Sequence, residues 1–159
     1  MLRELIALEN DSKVWIYQSD REFSQSESEE IREKVFSFVH QWSSHGHGVK
    51  AYGNLFHNRF IVLFADKAFE VSGCSIDSSV HFIKKIEQDY NVNMFDRMLF
   101  SFMVDEEVVS IKAPELTNAI KNGEIDMDTL AFDNLVDTKE KFLKNWLVPL
   151  KDSWHARFA

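Results

Sequence analysis

The run Phe60-Ile61-Val62-Leu63-Phe64 constrains the fold more than any other feature of this chain. Successive side chains of a strand point to opposite faces of its sheet. A sheet with one wet face therefore alternates apolar and polar residues. Here both alternating sets are apolar, so the strand must be covered on both sides. Residues 98–104 are nearly as apolar, with Ser101 the exception. The cover is expected from the C-terminal third of the chain or from a second copy.

The surrounding pattern supplies the element order. Lys13-Val14-Trp15-Ile16-Tyr17 is β-branched and aromatic and reads as a strand. Ser26 with Glu29 fits a capping box opening a helix whose Ile31, Val35, Phe38, Val39 and Trp42 share one face. Gly46 and Gly48 end that helix. Residues 49–56 and 59–66 form a hairpin about His57-Asn58. A turn over 70–73 leads into a second helix that buries Ile76, Val80, Ile83 and Tyr90. Residues 97–104 are a strand, Asp105-Glu106-Glu107 turns the chain, and 108–112 returns. This order predicts an α+β fold, ferredoxin-like (βαββαβ), with helices on one face of an antiparallel sheet.

The C-terminal third adds a helical elaboration. Pro114 suits the start of a helix through Lys121, and Asn122-Gly123 suits its end. Residues 129–132 read as a short strand. Asp137 with Glu140 opens a helix carrying Phe142, Leu143 and Trp146, limited by Pro149. Trp154 and Phe158 read as aromatics that dock the tail onto the body; an exposed interaction peptide is the alternative. With 159 residues and no linker, repeat or low-complexity segment, residues 1–159 are expected to form a single domain.

Charge and composition exclude several functions. A net charge of −8 and the lack of a basic stripe argue against nucleic acid as a partner, because phosphate contacts need clustered Lys and Arg. One cysteine cannot close an internal disulfide, which favours a reducing compartment. No apolar run suits a signal peptide or a membrane helix. A soluble, cytoplasmic protein without membrane insertion is expected. No Gly-x-x-x-x-Gly-Lys-Ser/Thr loop is present, so Walker-type ATP hydrolysis is not supported.

One stretch brings chemistry together by spacing. Cys74, Asp77 and His81 lie along one stripe of the second helix. A helix N-terminus favours a thiolate, because its unpaired N–H groups and dipole stabilise negative charge. Cys74 would then be the nucleophile, His81 the base and Asp77 the orienting group. Ser72, Gly73 and Ser75 would line a ligand site. The plainer reading is that Ser72, Ser75 and Asp77 cap the helix and Cys74 is a small buried residue. Arg59 and Arg97, each at a strand start, would meet an anionic ligand or simply pair with carboxylates. His40, His45, His47 and His57 lack the spacing of a metal site, so no metal and no cofactor are expected.

Four stretches together resemble a family. They are Lys13-Val14-Trp15-Ile16-Tyr17-Gln18-Ser19-Asp20-Arg21, Ser72-Gly73-Cys74-Ser75-Ile76-Asp77-Ser78-Ser79-Val80-His81-Phe82-Ile83, Phe95-Asp96-Arg97 and Trp146-Leu147-Val148-Pro149-Leu150-Lys151-Asp152-Ser153-Trp154-His155. The chain is similar over nearly its whole length to an uncharacterised family of small Bacteroidetes-type proteins, sometimes labelled ABC-transporter ATPases. The missing phosphate loop contradicts that label, so the resemblance implies only a bacterial cytosolic domain. The function expected is a non-catalytic binding or adaptor module for an unknown protein or small molecule. The alternatives are a cysteine-dependent enzyme or thiol sensor, and a homodimeric interaction protein.

Overall fold

The computed structural model describes the backbone of residues 2–44, 50–67 and 73–159. The fold is α+β, with two antiparallel sheets and five α-helices among the described residues. The chain gathers into two compact units. The first holds residues 1–95 and 137–140, the second 96–136 and 141–159.

In the first unit, α1 (Leu2–Ala7) precedes strand β1 (Lys13–Gln18), the long helix α2 (Gln25–Ser44), the hairpin β2 (Ala51–Phe56) and β3 (Phe60–Ala65), and helix α3 (Gly73–Tyr90). The sheet order is β1-β3-β2, antiparallel throughout. Ile61, Leu63 and Ala65 of β3 share a core with Val35 and Val39 of α2 and with Ile83 and Ile86 of α3. Phe60, Val62 and Phe64 point the other way and are also fully buried within a single copy of the chain. The strand expected to be covered on both faces is so covered, and it needs no second copy.

The hairpin turns on His57 and Asn58, both with positive φ (54° and 53°), and Arg59 N–H donates to the Phe56 carbonyl. That pair of left-handed residues matches the twist of the strands it joins. The helix start differs from expectation. Two overlapping Ser-x-x-Glu patterns, Ser24 with Glu27 and Ser26 with Glu29, fall at the start of α2, and the box forms on the earlier one. Glu27 N–H donates to Ser24 Oγ (3.2 Å), and Ser24 N–H donates to Glu27 Oε1 (2.9 Å). Arg21 decides between them by gripping both Glu27 oxygens, at 2.8 and 2.9 Å. Arg21 and the Ser24 amide together pull the Glu27 carboxyl down to about 2.

The expected four-stranded ferredoxin-like sheet is formed only in its first three strands. The fourth, β4 (Leu99–Val104), pairs with β5 (Glu107–Lys112) in a separate sheet of the second unit. Beside β1 the chain instead places residues 137–139. Lys13 bridges Thr138, Val14 N–H donates to the Asp137 carbonyl, and Lys139 N–H donates to the Ser12 carbonyl. Buried Lys139 also donates its Nζ to the Leu8 carbonyl (2.6 Å), beyond the end of α1. The edge of β1 is thus satisfied locally by backbone that carries too few residues to make a strand.

The second unit continues with a 3-10 turn (Ala113–Glu115), α4 (Leu116–Lys121), β6 (Leu130–Phe132), α5 (Lys139–Asn145, begun in the first unit) and β7 (Leu147–Pro149). Its sheet order is β5-β4-β6-β7. Pro114 opens the α4 segment as expected, and Gly123 (φ 74°) closes it. Gly123 N–H reaches the Ile120 carbonyl and Glu124 N–H the Ala119 carbonyl, a Schellman stop. Pro149 lies in β7, a strand not expected from the sequence. The tail docks. Trp154 and Phe158 each set their ring centroid 5.3 Å from that of Phe100.

Candidate functional site

The residues expected to carry chemistry are placed as follows. Helix α3 begins at Gly73, so Cys74 and Ser75 stand in its first turn. Ser72 and the side chains of Cys74 and Ser75 lie outside the described residues, as do His45 and His47. Asp77 and His81 are exposed, and no hydrogen bond joins them. Ile76, expected in the core, is 42% exposed. What anchors this end of α3 is Ser79, whose Oγ donates to the Ile76 carbonyl (2.7 Å) and lies 3.4 Å from the Tyr17 hydroxyl. Burial raises the Tyr17 pKa, and the Ser79 contact opposes that rise.

The two arginines are not brought to one sheet. Arg59 sits half-buried in the β2–β3 turn of the first unit, and exposed Arg97 precedes β4 in the second. Among the described residues no group of three or more His, Cys, Asp or Glu is arranged to hold a metal ion. His40 is exposed, and His57 occupies the hairpin tip, where partial burial lowers its pKa.

The first unit carries a groove of about 600 Å³ between α2 and α3. Three cross-helix pairs fix its geometry: Lys34 Nζ to Asp89 Oδ2 (3.3 Å), Tyr90 hydroxyl to Glu30 Oε1 (3.3 Å), and Phe38 against Phe82. Rising residue numbers on α2 meet falling numbers on α3, so the helices run antiparallel. Phe38 and Phe82 stack with centroids 4.5 Å apart at 10°, and Phe38 also stacks on Trp42 at 5.5 Å. Trp42 in turn meets Trp15 of β1 edge-on at 5.5 Å. A column of aromatic rings thus runs from the sheet to the groove floor, where Ile86 completes the apolar surface.

The rim is charged. Lys34 lies over the Tyr90 ring, 4.7 Å from its centroid. Tyr90 first, and Asp89 after it, raise the Lys34 pKa, with burial opposing. Lys85 also reaches Asp89, at 3.8 Å. Glu30 receives the Tyr90 hydroxyl, whereas Glu33 makes no ion pair among the described residues.

Sequence reasoning placed Phe38 in the core and left Phe82 unassigned. A signal existed. On α2, Phe38 lies beside the Val35–Val39 stripe and so widens the apolar face beyond what one sheet contact needs. On α3, Phe82 directly precedes Ile83. Such rings add width to each apolar face, but the width alone does not say which surface covers it.

No family model matches the chain, no curated protein matches it, and no solved structure matches it. Among the described residues no helix is long and apolar enough to cross a membrane.

Proposed function

We propose that the chain is a non-catalytic binding module and that the α2–α3 groove is its binding surface. The observation that carries this reading is the floor. Phe38 and Phe82 line an open channel of about 600 Å³ in place of being sealed beneath the helices. Binding sites combine an apolar surface with polar groups that orient the ligand, and here Phe38, Phe82 and Ile86 form the apolar floor inside a polar and charged rim. The ferredoxin-like reading of the first unit belongs to the same proposal: its β1-β3-β2 order is that of a split βαβ arrangement, which sets two helices side by side on one face. So does membership of the uncharacterised family, on the four stretches quoted above, with no ATPase activity attached.

The test uses paired baits. Wild-type protein and Ser37→Trp, which fills the groove from an exposed position, are used to capture partners from a native lysate. At least one saturable partner should be retained by the first and lost by the second. Identical capture by both baits removes the groove from the proposal, and no saturable capture by either removes the binding module.

A second reading rests on the start of α3 at Gly73, which sets Cys74 in the first helical turn. A thiol there is expected to ionise below its free value of about 8.5. The alkylation rate of the single cysteine against pH measures this directly. A lowered midpoint that shifts in His81→Ala supports a thiol enzyme or sensor. An ordinary midpoint leaves Cys74 structural.

A further inference from the structure

Resting on the groove reading above, we infer that its occupant is an amphipathic helix of a partner protein, basic toward one end. Two observations lead there. The first is shape. The lining positions on α2 run from Glu30 to Gln41, 11 residues apart in sequence, which at 1.5 Å per residue is roughly 16 Å. The walls are the surfaces of two antiparallel helices, and no other element of the described residues lines the channel. A compact small ligand needs enclosure over most of its surface. An open, straight channel with an apolar floor instead fits a third rod, whose residues at i, i+3, i+4 and i+7 pack into the seam.

The second observation is charge, and it is lopsided. Both lysines of the rim turn toward Asp89, so that carboxylate is neutralised from within. Glu33 has no such partner among the described residues, and Glu30 has only the Tyr90 hydroxyl. The opposite end of the channel offers Ser37, Gln41 and the two phenylalanine rings, without a cation. Three carboxylates, Glu30, Glu33 and Asp89, against Lys34 and Lys85 leave one net negative charge toward the Glu30 end, on a chain whose net charge is −8. Lysine or arginine at the matching end of the docked helix complements it and sets its direction.

The experiment titrates the full chain with two designed helical peptides of about four turns, one built from Leu and Lys and the other from Leu and Glu. Backbone amide shifts locate binding, and Kd is followed with salt. The Leu–Lys peptide should bind with shifts concentrated along both groove walls, and the Leu–Glu peptide about tenfold more weakly or not at all. Glu30→Lys with Glu33→Lys should weaken the Leu–Lys peptide about tenfold and flatten its salt dependence. Ser37→Trp should abolish the groove shifts while circular dichroism stays unchanged, which separates docking from a general attraction to an acidic protein. Equal affinity for both peptides, or Leu–Lys binding that survives Ser37→Trp, overturns the inference. Indole, an uncharged aromatic probe, separates the two levels. Indole shifts in the groove without peptide binding sink the helix and keep the groove. No shifts there from any probe sink both.

Discussion

Acidification from pH 6.5 to pH 4 should cost the second unit roughly 3 kcal/mol, with His155 as the cause. His155 is 3% exposed and is surrounded by the rings of Phe100, Phe102 and Trp154, the first at 4.3 Å. Its Nδ1 lies 3.1 Å from Ser153 Oγ, which itself donates to the Leu150 carbonyl. That leaves Nδ1–H as the donor, a bond that the neutral and the protonated ring can both make, so it is the apolar cage and not this bond that disfavours the charge. Burial lowers its pKa to about 4. In the unfolded chain the ring protonates near pH 6.5, so the unfolded state binds the extra proton between 6.5 and 4. Stability is whole above that window, falls through it as pH drops, and loses nothing more to this group below it. The low pKa of Glu27 acts in a separate window, because its contribution is lost between about 4.5 and about 2. Urea unfolding followed by tryptophan fluorescence at several pH values measures the slope. His155→Phe keeps an aromatic ring in the cage and removes the proton site, so its slope between 6.5 and 4 should be much shallower, with the remainder left to His57, whose pKa burial also lowers, and to Glu27 near the acid end. An undiminished slope in that variant would assign the acid sensitivity elsewhere.

The second large effect is expected at Gly53, in the middle of β2. A Cβ there would lie 2.8 Å from Val39 Cγ2, 2.9 Å from Val35 Cγ1 and 3.0 Å from Leu63 Cδ2. Glycine in a strand normally costs backbone entropy, so Gly→Ala would by itself help by roughly 0.5–1 kcal/mol. The clash outweighs that gain. The valines are stiff at χ1, and overpacking a tight core costs about 1–3 kcal/mol. Gly53→Ala should therefore destabilise the first unit by about 2 kcal/mol, and Gly53→Val by more. Val39→Ala removes one clashing methyl, so the double variant Gly53→Ala with Val39→Ala should be more stable than the sum of the single changes predicts. Strict additivity would mean that α2 does not lie this close to β2.

The candidate site was only partly legible from residues. Spacing along one helix is readable, and it suggests a stripe of Cys74, Asp77 and His81, of which the Cys74 side chain lies outside the described residues. Whether two of its members touch depends on rotamers, and Asp77 and His81 do not bond. The groove needed both helices in place. Nothing in residues 30–41 or 82–89 taken alone says that Phe38 meets Phe82, because their pairing depends on how the sheet sets two helices separated by the 28 residues between Ser44 and Gly73.

Local chemistry determined what is local. The turn at His57-Asn58, the stop at Asn122-Gly123, the opening at Pro114 and the doubly apolar β3 follow from backbone preference and side-chain polarity within a few residues, and each forms. The choice between two identical Ser-x-x-Glu boxes was decided by Arg21, and the partner of β4 by pairing across the second unit. Strand pairing and charge pairing at a distance depend on competition among all available partners, and that competition is settled only when the chain is folded.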